Sequence, residues 1–162
     1  MSPEIIALSD AHALAVWRIV VVQIWERELD PAAAQRKLER TLAIFKRERR
    51  ASPGGLVLAF SLISANATMP DPTSRAIAAE FPSYFDYYVG VHEGAEPRGS
   101  LVCTAIGAMA LAARVEPRYE LVDDLVEGCR RLAARSQGSV QKDELGEVIR
   151  TLRAQIATAG AA

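Results

Sequence analysis

The chain has 162 residues, 50% of them hydrophobic and 24% charged, with 19 basic against 20 acidic residues for a net charge of −1. That length suits one domain with a sizeable core, and the composition is that of a soluble globular protein. The near balance of charge excludes a global pull toward nucleic acid or an anionic membrane. The two cysteines, Cys103 and Cys129, have neither zinc-like spacing nor a framework of pairs, so both are expected to be reduced thiols.

The N-terminus, "MSPEIIALSD", carries acids and no basic flank, unlike a signal peptide. The longest apolar stretches, "LAVWRIVVVQIW" and "LVCTAIGAMALAA", are too short to span a bilayer. A cytoplasmic protein without a membrane span is expected.

"EIIAL" reads as a short first strand, followed by a turn at Asp10 and His12. "LAVWRIVVVQIWERE", rich in Val, Ile and Trp, reads as one long strand. Its centre is apolar on both faces, which suits a buried position. "LDPAAAQRKLERTLAIFKRER" is the clearest helix, with Asp30 as N-cap, Pro31 in the first helical position, and Ala34, Leu38, Leu42 and Phe45 as its stripe. "LVLAFSLIS" is a buried strand. In "TMPDPTSRAI", Asp71 can cap a helix that Pro72 starts, with Ile77 and Phe81 one turn apart and Pro82 bending or restarting it.

"YYVGVHE" is the next strand, "PRGSLVCTAIGAMALAAR" an apolar helix, and "RYELV" a short strand. "DDLVEGCRRLAAR" is a helix capped by Asp123, with Leu125, Cys129 and Leu132 inward. A last amphipathic helix, about Val140 to Ala157, carries the stripe Leu145, Ile149, Leu152 and Ile156. The order is β-β-α-β-α-β-α-β-α plus one terminal helix. It predicts an α/β protein, a mixed sheet covered by helices, with an antiparallel pair at the start and right-handed crossovers after it.

This order resembles the STAS domain, the fold of bacterial anti-sigma-factor antagonists and of the cytoplasmic tails of sulfate transporters. "AVWRIVVVQIWERELDPAAAQRKLERTL" is similar to uncharacterised STAS-like proteins of myxobacteria and their relatives. The resemblance covers residues 4–136 as the domain, and leaves 140–159 as a C-terminal amphipathic helix. It implies a non-enzymatic regulatory module in bacterial signalling, one that needs no cofactor and binds a protein partner. The alternative is a module for a small molecule, a nucleotide or a lipid. In the antagonists a serine at the start of the helix after the third strand is phosphorylated. Thr73 and Ser74, beside Asp71, are the nearest hydroxyls at that place. Where the antagonists carry Asp-Ser, a small residue and glycine, this chain has Asp71-Pro72 and no glycine after Ser74.

Other candidates stand beside bland readings. Phosphate on Thr73 or Ser74 would gain from a helix N-terminus, but hydroxyls are common in first turns for local reasons. The loop "SANATMPDPTS" exceeds the usual βα length and can be a contact surface. Arg98 and Ser100, at a helix start after "GVHEG", could hold an anion, though Glu93 and Glu96 would repel it. His92 with Cys103 has the elements of a base and a thiol but no third group to orient them. His12 and His92 have no acid at metal-binding spacing. Arg36, Lys37, Arg40, Lys46, Arg47, Arg49 and Arg50 form either an anion-binding run or a solvated face. The terminal helix can pack on its own domain, or its stripe can make a homodimer or docking contact.

Overall fold

A computed structural model of the chain describes residues 1–67, 71–94 and 118–161. Six strands form one sheet in chain order: β1 (Glu4–Leu8), β2 (His12–Trp17), β3 (Val20–Trp25), β4 (Leu58–Ile63), β5 (Tyr87–His92) and β6 (Tyr119–Val122). β1, β2 and β3 form an antiparallel meander, and β3 through β6 run parallel. The described helices are α1 (Pro31–Ala51), α2 (Pro72–Ala78), α3 (Leu125–Arg135) and α4 (Lys142–Ala159). The chain is α/β with a mixed sheet, as its alternating elements imply. The apolar helix expected around Cys103 lies outside the described residues.

The start of the chain departs from expectation. The expected single long strand is a hairpin, so three strands precede the first helix where two were anticipated. Trp17 pairs with Val20 across Arg18 and Ile19, and Arg18 has a φ of 55°. A positive φ at the first central residue alone is the pattern of a type II′ turn, which usually takes glycine there. A non-glycine residue pays roughly 1–2 kcal/mol for that conformation. Arg18 has compensations that glycine would lack. Its guanidinium lies 4.7 Å from the centre of the Trp17 ring, donates to the Ser139 carbonyl at 2.8 Å and pairs with Glu144 at 3.0 Å. With no Gly, Asn or Pro at the bend, local turn chemistry gave no sign of it.

α1 begins as its sequence dictates: the Asp30 carboxylate accepts from the Ala33 amide at 3.0 Å and Pro31 occupies the first turn. Its buried stripe is Ala34, Lys37, Leu38, Thr41, Ile44 and Phe45. Two polar residues thus share the face that meets the sheet. α2 ends at Ala78, and a 3₁₀ turn at Phe81–Ser83 follows, so Pro82 starts a new turn instead of bending the helix. α3 is capped by Asp124, not Asp123: its carboxylate accepts from the Glu127 amide at 2.7 Å.

Alternation along each strand gives the sheet two faces. One carries Ala13, Ala15, Trp17, Val20, Val22, Ile24, Leu58, Phe60, Leu62, Tyr87, Val89 and Val91, and α3 and α4 cover it. α3 lies over β4, β5 and β6, and α4 over β1, β2 and β3. Leu145, Ile149, Leu152 and Ile156 are all buried there, so the terminal helix spends its apolar stripe on its own sheet, and the homodimer contact imagined for that stripe loses its surface. α1 and α2 cover the opposite face with Leu38, Ile44 and Phe45, joined by Phe81 and Phe85. Both crossover helices among the described residues, α1 and α2, lie on one side, as parallel strands advancing in one direction require when the crossovers share a hand. At the β1 edge Ile5 and Leu8 are exposed, and a bulge between Ile5 and Ala7 interrupts the ladder, a feature that discourages edge-to-edge pairing.

Candidate functional site

The parallel strands β3, β4 and β5 end side by side, with Trp25, Ile63 and His92 in register. The loop from β4 to α2 leaves from this edge. Ser64 fixes its start: its amide donates to the Trp25 carbonyl at 2.8 Å and its hydroxyl to the Glu26 carbonyl at 2.6 Å. Asp71 fixes its end. One carboxylate oxygen accepts from the Thr73 and Ser74 amides at 2.9 and 3.1 Å, and the other from the Ser74 hydroxyl at 2.7 Å. That hydroxyl bond, followed by the backbone bonds, holds the Asp71 carboxyl below its ordinary range. Residues 68–70 between the two anchors lie outside the described residues.

The two hydroxyls singled out from the sequence differ sharply. Ser74 is fully buried and its oxygen is committed to the cap. Thr73 is exposed, as are Ala65, Asn66 and Pro72. Thr73 and this rim are accessible from solvent, and Ser74 is not.

Arg153 of α4 reaches the same edge and grips two carboxylates. It donates to Glu26, at the end of β3, at 2.5 and 3.3 Å, and to Glu93, at the end of β5, at 2.9 and 3.0 Å. β4 lies between those strands, so one guanidinium spans the edge from which the loop leaves. Beside it, His92 is buried, and its Nδ1 has no hydrogen-bond partner among the described residues. A Cβ placed on Gly94 would come within 3.0 Å of that ring and 3.6 Å of the Ala65 methyl, so Gly94 approaches both the imidazole and the start of the loop.

On the α1 side of the edge, Lys37 is buried with its Nζ 3.2 Å from the centre of the Trp25 ring and 3.3 Å from the Ile24 carbonyl. Burial pushes its amine well below the ordinary lysine range. The neighbouring His12 is pushed down to about 4, first by burial and then by the charges of Lys37 and Arg40, with Asp10 opposing. The Ser9 hydroxyl lies 2.8 Å from its Nδ1.

The basic run of α1 is not a continuous anion surface. Lys37 is in the core, Lys46 pairs with Glu80, and Arg47 pairs with Glu4 and Glu48. Arg49 is spent on the segments that lead into β4 and β5, donating to the Gly55 and Tyr84 carbonyls and to Asp86 at 2.7 Å. Arg98, Ser100 and Cys103 fall outside the described residues, so neither the anion site nor the His92–Cys103 pair is placed. Cys129 is buried in the core, which pushes its thiol up to about 11. Among the described residues no three His, Cys, Asp or Glu side chains converge as metal ligands, and no described helix is long and apolar enough to cross a membrane.

Sequence reasoning missed the Glu26–Arg153–Glu93 bridge and the burial of Lys37. The first had no local signal, since its members are far apart in the chain. The second had one: helical arithmetic from Ala34 and Leu38 puts Lys37 and Thr41 in the same stripe as Phe45. No family model, curated protein or solved structure matches this chain.

Proposed function

We propose that the chain is a STAS-like interaction module that binds a protein partner without catalysis, with the loop from β4 to α2 as its contact surface. One observation carries this reading: the loop is pinned at both ends, by Ser64 and by Asp71, while Ala65, Asn66, Pro72 and Thr73 face solvent between and beside the pins. Ala65, Pro72 and Thr73, directly beside these pins, have little conformational freedom to lose on binding, which favours recognition. The mixed α/β sheet is compatible with the family resemblance, although the loop follows the fourth strand where the resemblance expects the third, and a role in bacterial signalling follows from that resemblance alone. The test is capture of the partner from the native host with the full chain as bait. Thr73→Arg should abolish capture while circular dichroism and the urea midpoint stay unchanged. Undiminished capture by that variant would overturn the assignment of the surface.

A ligand-binding reading stands second, favoured by the His92 Nδ1, which is buried and without a hydrogen-bond partner among the described residues at the strand edge from which the same loop leaves. It expects a nucleotide or lipid to raise the melting temperature, and His92→Phe to remove that rise.

A further inference from the structure

We propose that Lys37 is a proton-operated strut: uncharged, it packs α1 against the end of β3, and on taking up a proton it loosens that end together with the loop anchored there. The role of the loop rests on the contact-surface reading above, and the strut itself does not.

The geometry is that of an amine with too few partners for a charge. Lys37 is 2% exposed, no carboxylate pairs with it among the described residues, and the Ile24 carbonyl and the face of Trp25 are its contacts. A buried ammonium with one carbonyl and one ring face is poorly compensated for lost hydration. The ionisable groups around it do not help. Arg40 from α1 adds positive charge, His12 from β2 is held neutral above about pH 4 and brings no counter-charge, and the nearby acid, Asp10 in the β1–β2 turn, acts on His12. β3 and β4 carry no ionisable side chain, and α2, which also packs on α1, brings Arg75 with Asp71 at its cap. Burial depresses the lysine accordingly.

The coupling runs through backbone. Lys37 braces the Ile24 carbonyl and the Trp25 ring, and the next two carbonyls, of Trp25 and Glu26, accept from the Ser64 amide and hydroxyl. A change at the lysine therefore reaches the loop anchor within two residues. The proton comes from and returns to solvent.

The experiment labels the full chain with 5-fluorotryptophan, which resolves Trp17 from Trp25 by fluorine NMR, and lowers the pH from 10.5 to 5.5. The Trp25 resonance should shift with a one-proton midpoint well below 10.5 while Trp17 stays fixed, and the Ser64 amide should lose protection from hydrogen exchange below that midpoint. Lys37→Met should abolish both changes, and Lys37→Arg, charged throughout, should show the exchanging loop at every pH. His12→Asn should leave the midpoint in place. A Trp25 resonance that stays flat over the folded range, or an unchanged midpoint in Lys37→Met, overturns the proposal. Should Lys37→Met not fold, direct titration of the Lys37 Nζ by nitrogen NMR decides it: an ordinary lysine midpoint sinks the strut. None of these readouts needs a partner, so failure of Thr73→Arg to block capture would remove the contact surface and leave the strut standing.

Discussion

The two faces of the sheet are built differently. Under α3 and α4 the inward strand residues from β2 to β5 are hydrophobic, although Tyr87 also brings a hydroxyl, and Gly128 lets α3 approach so closely that a Cβ there would collide with Val91 Cγ2. Under α1 and α2 the matching positions include Gln23, Ser61, Gly90 and His92, with Lys37 and Thr41 coming from the helix. Thr41 links to Gln23 at 3.4 Å and to the Lys37 carbonyl at 3.0 Å. Buried polar groups cost free energy that apolar ones do not, unless each finds a partner. The first face therefore carries stability, and the second gives some of it up at the strand ends beside the candidate site.

That contrast can be broken by mutation. The largest effect is expected on the apolar face, where Phe60→Ala should cost about 3–5 kcal/mol of unfolding free energy by urea titration. A cost below about 1 kcal/mol would mean that this face does not dominate the core. Gly128→Ala comes next. Alanine is the better helix former by about 1 kcal/mol, yet the missing space over Val91 should make the variant less stable, by about 1–3 kcal/mol. A stabilised variant would show that α3 can lift off without penalty.

The smallest effect belongs to the polar face and is read as a pH dependence. His12 titrates near 4 in the fold against 6.5 for an ordinary histidine. Between those values the unfolded chain binds the proton and the folded chain does not, so stability rises with pH across that window and falls on acidification. His12→Asn should flatten the difference between urea midpoints at pH 4.5 and 6.5. The same slope in both proteins would assign the dependence to another group. Lys37 has the same sign, and adds stability as pH rises toward 10.5.

Much of the fold was legible locally. Asp30-Pro31 and Asp71-Pro72 announce helix starts because a carboxylate and a fixed φ are needed there whatever surrounds them. The stripe of α4 gave its buried face at the correct residues. The hairpin was illegible for a physical reason: Arg18 accepts a strained turn because Trp17, Ser139 and Glu144 hold it, and two of those three are more than a hundred residues away. The candidate site divided in the same manner. The loop could be found from its length and its cap, but nothing local separates Thr73, in solvent, from Ser74, sealed against Asp71.

By itself, then, the sequence determined the class of the protein, the caps of α1 and α2, and which face of α4 is buried, since capping bonds and periodic burial act over a few residues. Tertiary structure alone decided that one long apolar run folds back as two strands and that Lys37 lies over Trp25. It also decided that Arg153 joins Glu26 to Glu93. Each of these depends on groups brought together from distant parts of the chain, where the free energy of a contact is set by burial and by partners that local sequence does not specify.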